Sequence, residues 1–382
     1  MQIVHVVESM DRGGLERVVC DLAQAQQRDG HSVTIVCLFT DGLLAEEARE
    51  AGVRVDSVGK KPGFDLAALM RLRRALGACD ADVIHTHNAT AHYHAAAVAR
   101  RSGTAVLVNT RHGLGGTRSS DRRERLFSLA LGRTAAVAAV CQAAARRFVA
   151  DGIVPGALVR VVPNGIRLQA FGNADRRDAR RRLNLPQEAL VVGAVGRLNW
   201  AKDHAFLLRA FQELLRTAPS SFLVIVGEGE QRQALEHLTV ELALEGRVKL
   251  IGDRHDVPLL LPGLDVFALS SRTEGHSVAV LEACAAGNAI VATDVGGNRE
   301  IVEDGVTGLL VEQGNLASFS GALRRLAESS VLREQLGSRA RDWAAANASL
   351  EAMVARYGRL YSDCGAASGS PREPVRPARR LT

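Results

Sequence analysis

Two glutamates in the run EGHSVAVLE, Glu274 and Glu282, have the type and spacing to hold a polar ligand above a parallel sheet. The mainly apolar run 265–269 (DVFAL) predicts a short buried strand, and the run from Ser277 predicts a helix that ends at Gly287. A helix that begins there points unpaired backbone N–H groups and a positive dipole end beyond the sheet, which suits a phosphate. Each carboxylate can accept hydrogen bonds from the hydroxyls of a sugar or a ribose. The run therefore predicts a sugar-nucleotide site, although a solvent-exposed acidic loop followed by a solvent-exposed helix would show the same sequence pattern.

Two cations follow an earlier predicted strand. The run VVGAVG leads into the loop GRLNWAKDH, which contains Arg197 and Lys202. Both lie where a parallel strand ends, which is the edge at which such sheets bind ligands. A fixed guanidinium and an ammonium can stabilise the charge of a departing diphosphate without a metal ion. Two solvated loop cations are the alternative, and the glutamate run on a neighbouring strand end argues against it.

The first half of the chain offers a glycine turn and a histidine at a strand end. Gly13 and Gly14 follow the first predicted strand (QIVHVVE) and open a helix, so backbone can approach a ligand closely there. The spacing is not GxGxxG, so the dinucleotide fingerprint of dehydrogenases is absent. His112 follows the strand TAVLV and could hydrogen-bond a sugar or a phosphate, although a histidine at this place is often structural.

The segment HTHNATAHYH contains His85, His87, His92 and His94, which suggests a metal site. We predict no metal, because no nearby Asp, Glu or Cys completes a spaced ligand set.

Composition restricts the classes of function. Of 382 residues, 47% are hydrophobic and only 4% aromatic, which argues against aromatic stacking on nucleic acid. The net charge is +6, and residues 1–170 hold 22 Lys and Arg against 16 Asp and Glu, which indicates an anionic partner for the first half. The six cysteines include no CxxC pair, and we find neither a basic leader nor an apolar run of about 18 residues. We therefore expect a cytoplasmic protein.

Alternating strand and helix patterns predict an α/β protein with two doubly wound, Rossmann-like domains. We place the first domain at residues 1–165 and the second at 166–340, with the boundary at the turn Pro163–Gly165. A helix is expected over 341–363, followed by a disordered basic tail over 364–382. The cleft between the two domains is the predicted ligand site.

Together these motifs resemble those of the retaining GT-B glycosyltransferases of family 4, the glycosyl transferases group 1, across nearly the whole chain. The resemblance rests on Gly13 and Gly14, His112, the crossover VVPNGI, the loop GRLNWAKDH, the turn Gly227–Gly229, EGHSVAVLE and ATDVGGNREIVEDGVTGLLV. It implies the GT-B architecture, with two Rossmann-like domains facing a central cleft and the helix over 341–363 returning to the first domain.

The resemblance also implies roles for individual residues. Arg197 and Lys202 would bind the donor diphosphate, and Glu274 would hold hydroxyls of the transferred sugar. We expect catalytic roles for Arg197, Lys202, Glu274 and His112. The remaining implied substrate contacts are Gly13 and Gly14 across the cleft, Arg254 near the nucleobase, backbone at His276, Ser277 and Val278 on phosphate, and Glu282 on the ribose.

The implied activity is transfer of a hexosyl-type sugar from a nucleoside-diphosphate sugar to a hydroxyl of a glycan or polyprenyl-linked acceptor. It would retain anomeric configuration and need no metal or other cofactor, in exopolysaccharide, capsule or lipopolysaccharide synthesis. We expect no nucleic-acid partner. The basic run from Arg118 to Arg133 could dock on the cytoplasmic face of the inner membrane or pack on the domain core. A sugar-nucleotide epimerase on the same fold and a transferase of secondary metabolism are alternatives.

Overall fold

The computed structural model describes residues 1–11, 13–99, 105–114, 122–171 and 175–368, and the chain falls into two compact units. Unit 1 comprises Met1–Asn164 and the C-terminal segment from Leu350. Unit 2 comprises Gly165–Ser349. Each unit is a parallel sheet with helices, so the predicted fold class of two Rossmann-like α/β domains is confirmed.

The described part of unit 1 holds a seven-stranded parallel sheet with strand order 3-2-1-4-5-6-7. Its strands are β1 (Gln2–Val7), β2 (Ser32–Cys37), β3 (Arg54–Ser57), β4 (Val83–His87), β5 (Val106–Arg111), β6 (Ala136–Ala139) and β7 (Val159–Val161). Its helices are α1 (Gly14–Arg28), α2 (Ala45–Glu50), α3 (Leu66–Ala78), α4 (Asn88–Val98), α5 (Arg122–Ala130), α6 (Gln142–Ala150) and, at the C-terminal end, α15 (Leu350–Ser368).

Unit 2 repeats this plan with six parallel strands among its described residues, in the order 10-9-8-11-12-13. The strands are β8 (Val191–Val195), β9 (Phe222–Val226), β10 (Val248–Leu250), β11 (Val266–Leu269), β12 (Ala289–Thr293) and β13 (Leu309–Val311). The helices are α7 (Arg176–Arg182), α8 (His204–Leu215), α9 (Arg232–Glu241), α10 (Val257–Leu260), α11 (Val278–Ala286), α12 (Asn298–Ile301), α13 (Leu316–Glu328) and α14 (Ser330–Asn347).

The strand order of each sheet reverses at one point, between β1 and β4 in unit 1 and between β8 and β11 in unit 2. Helical connections leave a doubly wound sheet in opposite directions at such a point, which opens a crevice beyond the carboxyl ends of the strands. The loops that follow β8 and β11 carry Lys202 and Glu274, so these residues belong to the crevice of unit 2.

The C-terminal helix predicted over 341–363 corresponds to α15, which belongs to unit 1 but has different bounds. Helix α14 ends at Asn347 in unit 2, and α15 begins at Leu350 in unit 1. The backbone between them cannot be helical because it pairs with Ile166, whose N–H donates to the Ala348 carbonyl at 2.9 Å. Residues 364–368 of the predicted tail are helical, and 369–382 lie outside the described residues. Among the described helices, none is long and apolar enough to cross a membrane.

Candidate active site

Close packing of two loops fixes the backbone around Arg197. The Gly196 N–H donates to the Val226 carbonyl at 2.9 Å, which holds the end of β8 against the end of β9. Gly227 has a φ of 142°, and a Cβ at this position would lie 2.0 Å from the Gly196 oxygen. Only glycine fits there. The close approach of Gly227 to Gly196 therefore fixes the backbone from which the loop with Arg197 starts.

Lys202 and Glu274 meet in a partly buried ion pair, although 72 positions separate them in the chain. Lys202 Nζ lies 2.5 Å from Glu274 Oε1. The Ser271 hydroxyl donates to the same oxygen at 2.6 Å. Glu274 Oε2 receives no hydrogen bond from the described residues, and this carboxylate oxygen is therefore able to accept one from a ligand.

Residues directly before Glu274 hold the loop of Lys202 in place. The Ser270 hydroxyl donates to the carbonyls of Lys202 and Asp203 at 3.0 and 3.1 Å. Asp203 adopts a left-handed backbone with a φ of 48°, and its carboxylate pairs with Arg272 at 2.7 Å. Sequence analysis did not select these supporting residues, although the run SSR directly before the predicted site was the available signal.

Helix α11 presents its amino end directly after Glu274. Ser277 is the N-cap residue, Gly287 ends the helix with a φ of 75°, and the helix predicted between them is confirmed. The Ser277 hydroxyl is buried and has no hydrogen-bond partner among the described residues. The first N–H groups of a helix also lack partners within the helix, and Val278 is the first helical residue. This end of α11 can therefore accept an anion.

The other residues predicted for unit 2 occupy separate positions. Glu282 is half-buried in the second turn of α11, and His276 is buried just before the helix. Arg254 lies beyond β10 and makes two hydrogen bonds of 2.7 Å with Asp256. These bonds raise the pKa of the Arg254 guanidinium, which is thus held by its neighbouring carboxylate.

In unit 1 the predicted glycine turn opens helix α1. Gly13 is the N-cap in an extended conformation, and the helix begins at Gly14. His112 is the first residue after β5, and its backbone N–H donates to Asn88 Oδ1 at 3.1 Å. Its Nδ1 is buried and has no partner within the described residues. Burial lowers the pKa of His112 to about 3, so the ring is uncharged at neutral pH.

The ring of His112 joins a buried histidine cluster that sequence analysis found only in part. We define the cluster as His5, His85, His87 and His112. His87 Nδ1 lies 2.9 Å from His112 Nε2, and His87 Nε2 lies 3.0 Å from His5 Nδ1. His5 and His85 are register partners on β1 and β4, so both point to the same side of the sheet as His87. His5 in the first predicted strand was the signal that could have extended the cluster, and the sequence analysis did not consider it.

Three members of the cluster lie close enough to share a metal ion. The sequence analysis predicted no metal because it found no nearby Asp, Glu or Cys, and it did not consider a third histidine from another strand. One ligand nitrogen from each of His5, His85 and His87 lies within 4.8 Å of the other two. Each of their ring nitrogens is already hydrogen-bonded within the protein: His5 to Gln26 and His87, His85 to Tyr361 and Thr110, and His87 to His5 and His112. Binding a metal would therefore break hydrogen bonds that the fold satisfies.

The other two histidines of the predicted segment belong elsewhere. His92 bonds the hydroxyls of Thr86 and Thr134 at 2.7 and 2.8 Å, and His94 Nδ1 lies 2.8 Å from the Thr90 carbonyl. Of the basic run 118–133, residues 118–121 lie outside the described part. In the rest, Phe127 and Leu131 are buried in the core of unit 1, whereas Leu129 is 80% exposed and Arg122, Arg123 and Arg125 are exposed as well. Helix α5 therefore packs one side on the core and leaves the other side on the surface.

Comparison with known proteins identifies the class. The family model described as Glycosyl transferases group 1 matches residues 175–343, and the one described as Glycosyltransferase Family 4 matches residues 12–170. The curated D-inositol 3-phosphate glycosyltransferase of Actinosynnema mirum is 30% identical over 390 residues, covering 91% of this chain and 92% of that protein. The chain therefore belongs to the group 1 glycosyltransferases and is a transferase enzyme.

Two further similarities extend this assignment. The Escherichia coli UDP-Gal:alpha-D-GlcNAc-diphosphoundecaprenol alpha-1,3-galactosyltransferase is 28% identical over 278 residues, covering 70% of this chain and 72% of that protein. The crystal structure of Anabaena HepE in complex with UDP-glucose superposes with a TM-score of 0.84 at 24% identity, covering 94% of this chain and 99% of that one. The second similarity supports the fold, and the predicted GT-B architecture is confirmed.

Proposed function

We propose that this enzyme moves a hexosyl sugar from a UDP-sugar to a hydroxyl of a glycan or polyprenyl-linked glycan, with retention of anomeric configuration and without a metal ion. The observation that carries the proposal is the pairing of Lys202 with Glu274 beside the amino end of α11. This arrangement combines a cation and an anion-binding helix end for a diphosphate with a carboxylate for sugar hydroxyls.

The leaving group would be stabilised by fixed positive charge. Bond cleavage at the anomeric carbon leaves the shared electron pair on the diphosphate oxygen, and Arg197, Lys202 and the end of α11 would stabilise that charge. The acceptor hydroxyl would attack from the face that the diphosphate leaves, and the departing phosphate oxygen would take its proton. In this scheme the cations supply the charge that a divalent ion would supply in a metal-dependent transferase.

Relatives support the donor class. The Escherichia coli relative is named for transfer from UDP-Gal, and HepE is described with UDP-glucose. We therefore propose a UDP-sugar as donor, bound through the diphosphate site of unit 2, with Glu282 on the ribose hydroxyls and Arg254 near the base.

Two acceptor classes follow from the relatives. The Escherichia coli enzyme is named for a diphosphoundecaprenol acceptor, which supports a lipid-linked glycan and surface-polysaccharide synthesis. The Actinosynnema mirum relative, which covers 91% of this chain, is named for D-inositol 3-phosphate, so a small phosphorylated polyol is the second candidate. Both acceptors are anionic, in keeping with the basic first half of the chain.

A lipid-linked acceptor would require the enzyme to contact a membrane surface. The start of helix α3 and the residues before it offer exposed apolar side chains for such a contact. Phe64, Leu66 and Met70 are 80%, 62% and 44% exposed. Leu66 and Met70 share a helical face with Arg73 and Arg74, which are exposed as well. Apolar side chains next to basic ones are typical of a surface that docks on anionic lipid. We propose this surface as a peripheral membrane contact.

The proposed function is tested by a transfer assay on the full chain with metal chelator present. Radiolabelled UDP-glucose and UDP-galactose would be offered separately with a polyprenyl-diphosphate sugar and with inositol phosphate. We expect the radiolabelled sugar to be transferred to one of the two acceptors. The NMR spectrum of the product should show an α-linked sugar, the configuration of the donor. Inversion, dependence on added divalent metal, or conversion of donor without acceptor, as an epimerase would give, would each refute part of the proposal.

A further inference from the structure

A single chain of hydrogen bonds runs from helix α1 through the histidine cluster to the edge of the sheet in unit 1. Gln26 Oε1 lies 2.8 Å from His5 Nε2, and His5 Nδ1 lies 3.0 Å from His87 Nε2. His87 Nδ1 lies 2.9 Å from His112 Nε2. Gln26, His5 and His87 are all buried, so water does not compete for these bonds.

The direction of this chain is determined at its Gln26 end. An amide oxygen can only accept, so His5 Nε2 must carry the proton that it donates to Gln26 Oε1. A neutral imidazole has one N–H and one acceptor nitrogen, so His5 Nδ1 accepts from His87 Nε2–H. By the same rule His87 Nδ1 accepts from His112 Nε2–H. Burial lowers the pKa of His5 to about 4, that of His112 to about 3 and that of His87 well below 6.5, so all three rings are neutral at pH 7.

The Gln26 amide also contacts the C-terminal helix. Its Nε2 donates to the Tyr361 hydroxyl at 3.4 Å, and that hydroxyl lies 2.7 Å from His85 Nδ1. In this structure the amide oxygen faces His5 and the amide nitrogen faces α15. A flipped amide would reverse every proton in the chain, so the tautomer of His112 at the far end reports which way the amide points.

We propose that Gln26, His5 and His87 are positioning residues that hold His112 with its proton on Nε2, so that Nδ1 accepts a hydrogen bond from a ligand hydroxyl. His112 Nδ1 is buried and lacks a partner among the described residues, and an unsatisfied buried acceptor destabilises the fold. A hydroxyl donor would satisfy it, whereas a phosphate oxygen would place an anion against its lone pair. The assignment of a sugar hydroxyl rests on the proposed function, but the tautomer does not.

The tautomer can be read directly by nitrogen NMR on the full chain labelled with 15N-histidine. The chain contains 11 histidines, and His112→Gln identifies the signals of His112 by their loss. We expect His112 Nδ1 to be unprotonated and Nε2 protonated in the wild type. Gln26→Met removes the anchoring oxygen at similar volume and should place at least a tenth of His112 in the other tautomer.

Gln24→Met is the matched control, because Gln24 is buried on the same helix and bonds Cys20 and Glu47 rather than a histidine. It should leave the wild-type tautomer unchanged. If Gln26→Met does not fold, His5→Phe breaks the chain one link further on and should give the same mixture. A wild-type His112 protonated on Nδ1 would overturn the proposal, and so would a folded Gln26→Met or His5→Phe protein with the wild-type tautomer.

Adding UDP-glucose or UDP-galactose separates this inference from the proposed function. If the donor binds, measured by calorimetry, the His112 Nδ1 signal should move as it accepts a hydrogen bond. Donor binding with an unmoved Nδ1 signal would overturn the ligand contact. No saturable binding of either donor would refute the proposed donor class, while the tautomer result without donor would still decide whether Gln26 sets the state of His112.

Discussion

Lys202 is the residue whose hydrogen bonds connect the two sides of the crevice in unit 2. An ammonium group has three N–H donors, and one of them points to Glu274 Oε1 at 2.5 Å. In the proposed mechanism the other two donors would bind diphosphate oxygens without breaking the pair. Glu274 would in turn offer Oε2 to a sugar hydroxyl, so the ion pair would orient both partners of the bond to be cleaved.

Ser277 provides a prediction at the same scale. Its buried hydroxyl lacks a partner among the described residues, so Ser277→Ala should leave the free energy of unfolding unchanged or raise it by up to about 1 kcal/mol. If the hydroxyl donates to a donor phosphate, the same change should weaken donor binding about fivefold, which corresponds to about 1 kcal/mol. Denaturant unfolding and calorimetry would measure the two effects.

Ser221→Ala is the matched control for that substitution. Ser221 lies just before β9, is fully buried, and likewise has a hydroxyl without a partner in the described structure. It should show the same small effect on stability with no change in donor affinity. Equal donor affinity in the two variants would remove the Ser277 hydroxyl from the site.

At the scale of elements, α3 yields a prediction about membrane binding. The double change Phe64→Ser and Leu66→Ser leaves the N-cap Asp65 intact, whose side chain accepts from the Ala68 N–H at 2.9 Å. Removing these apolar side chains should lower binding to phosphatidylglycerol vesicles about tenfold or more in a flotation assay, because each contributes about 1 kcal/mol or more when buried in lipid.

Leu43→Ser controls for the loss of any exposed leucine, since Leu43 is 63% exposed outside α3. It should bind vesicles like the wild type. Undiminished flotation of the double variant, or equal wild-type binding to neutral phosphatidylcholine vesicles, would contradict the proposed surface.

Most elements could be predicted from the sequence because parallel strands are buried on both faces and read as continuous apolar runs. Strand β3 gives only a weak signal in the sequence because it is short, lies at the sheet edge and reads RVDS, without such a run. The break between α14 and α15 was missed because no Gly or Pro marks residues 348–349. Pairing with Ile166 determines that break, and a contact so distant in sequence leaves no local signal.

The candidate site could be predicted only in part, for a similar reason. Glu274, Lys202 and the start of α11 follow from strand ends and helix starts, which are local patterns. The ion pair itself and the link from His5 to His112 depend on which strands are neighbours in the sheet. No local sequence pattern predicts where the strand order reverses. Pairing of His5 with His85 therefore became visible only in the sheet.

At the scale of the whole molecule, buried histidines predict an asymmetric response to acid. Burial lowers the pKa of His5 to about 4, that of His92 and His112 to about 3, and those of His85 and His87 well below 6.5. Between pH 6.5 and these lower values the unfolded chain binds protons that the folded chain does not. Stability therefore falls as pH falls below about 6.5, by at most about 1.4 kcal/mol per pH unit for each histidine.

All five of these histidines belong to unit 1, so unit 2 serves as an internal control. Hydrogen exchange followed by mass spectrometry, corrected for the intrinsic exchange rate, would compare peptides from β1 and β4 with peptides from β8 and β9. Between pH 7 and pH 5.5 we expect the opening free energy of unit 1 to fall by several kcal/mol. Unit 2, in which burial lowers the pKa of His204 to about 4, should lose about 1 kcal/mol. An unchanged unit 1 would show that its histidines titrate normally.

The most direct test of the central claim, that fixed cations of unit 2 stabilise the departing diphosphate, is the transfer rate of Arg197→Ala at saturating donor. Arg209→Ala is the matched control, because Arg209 is an exposed arginine on α8. We predict a fall of about 10²–10³ in kcat for Arg197→Ala and no change for Arg209→Ala. Transfer by Arg197→Ala within tenfold of the wild type would contradict the account.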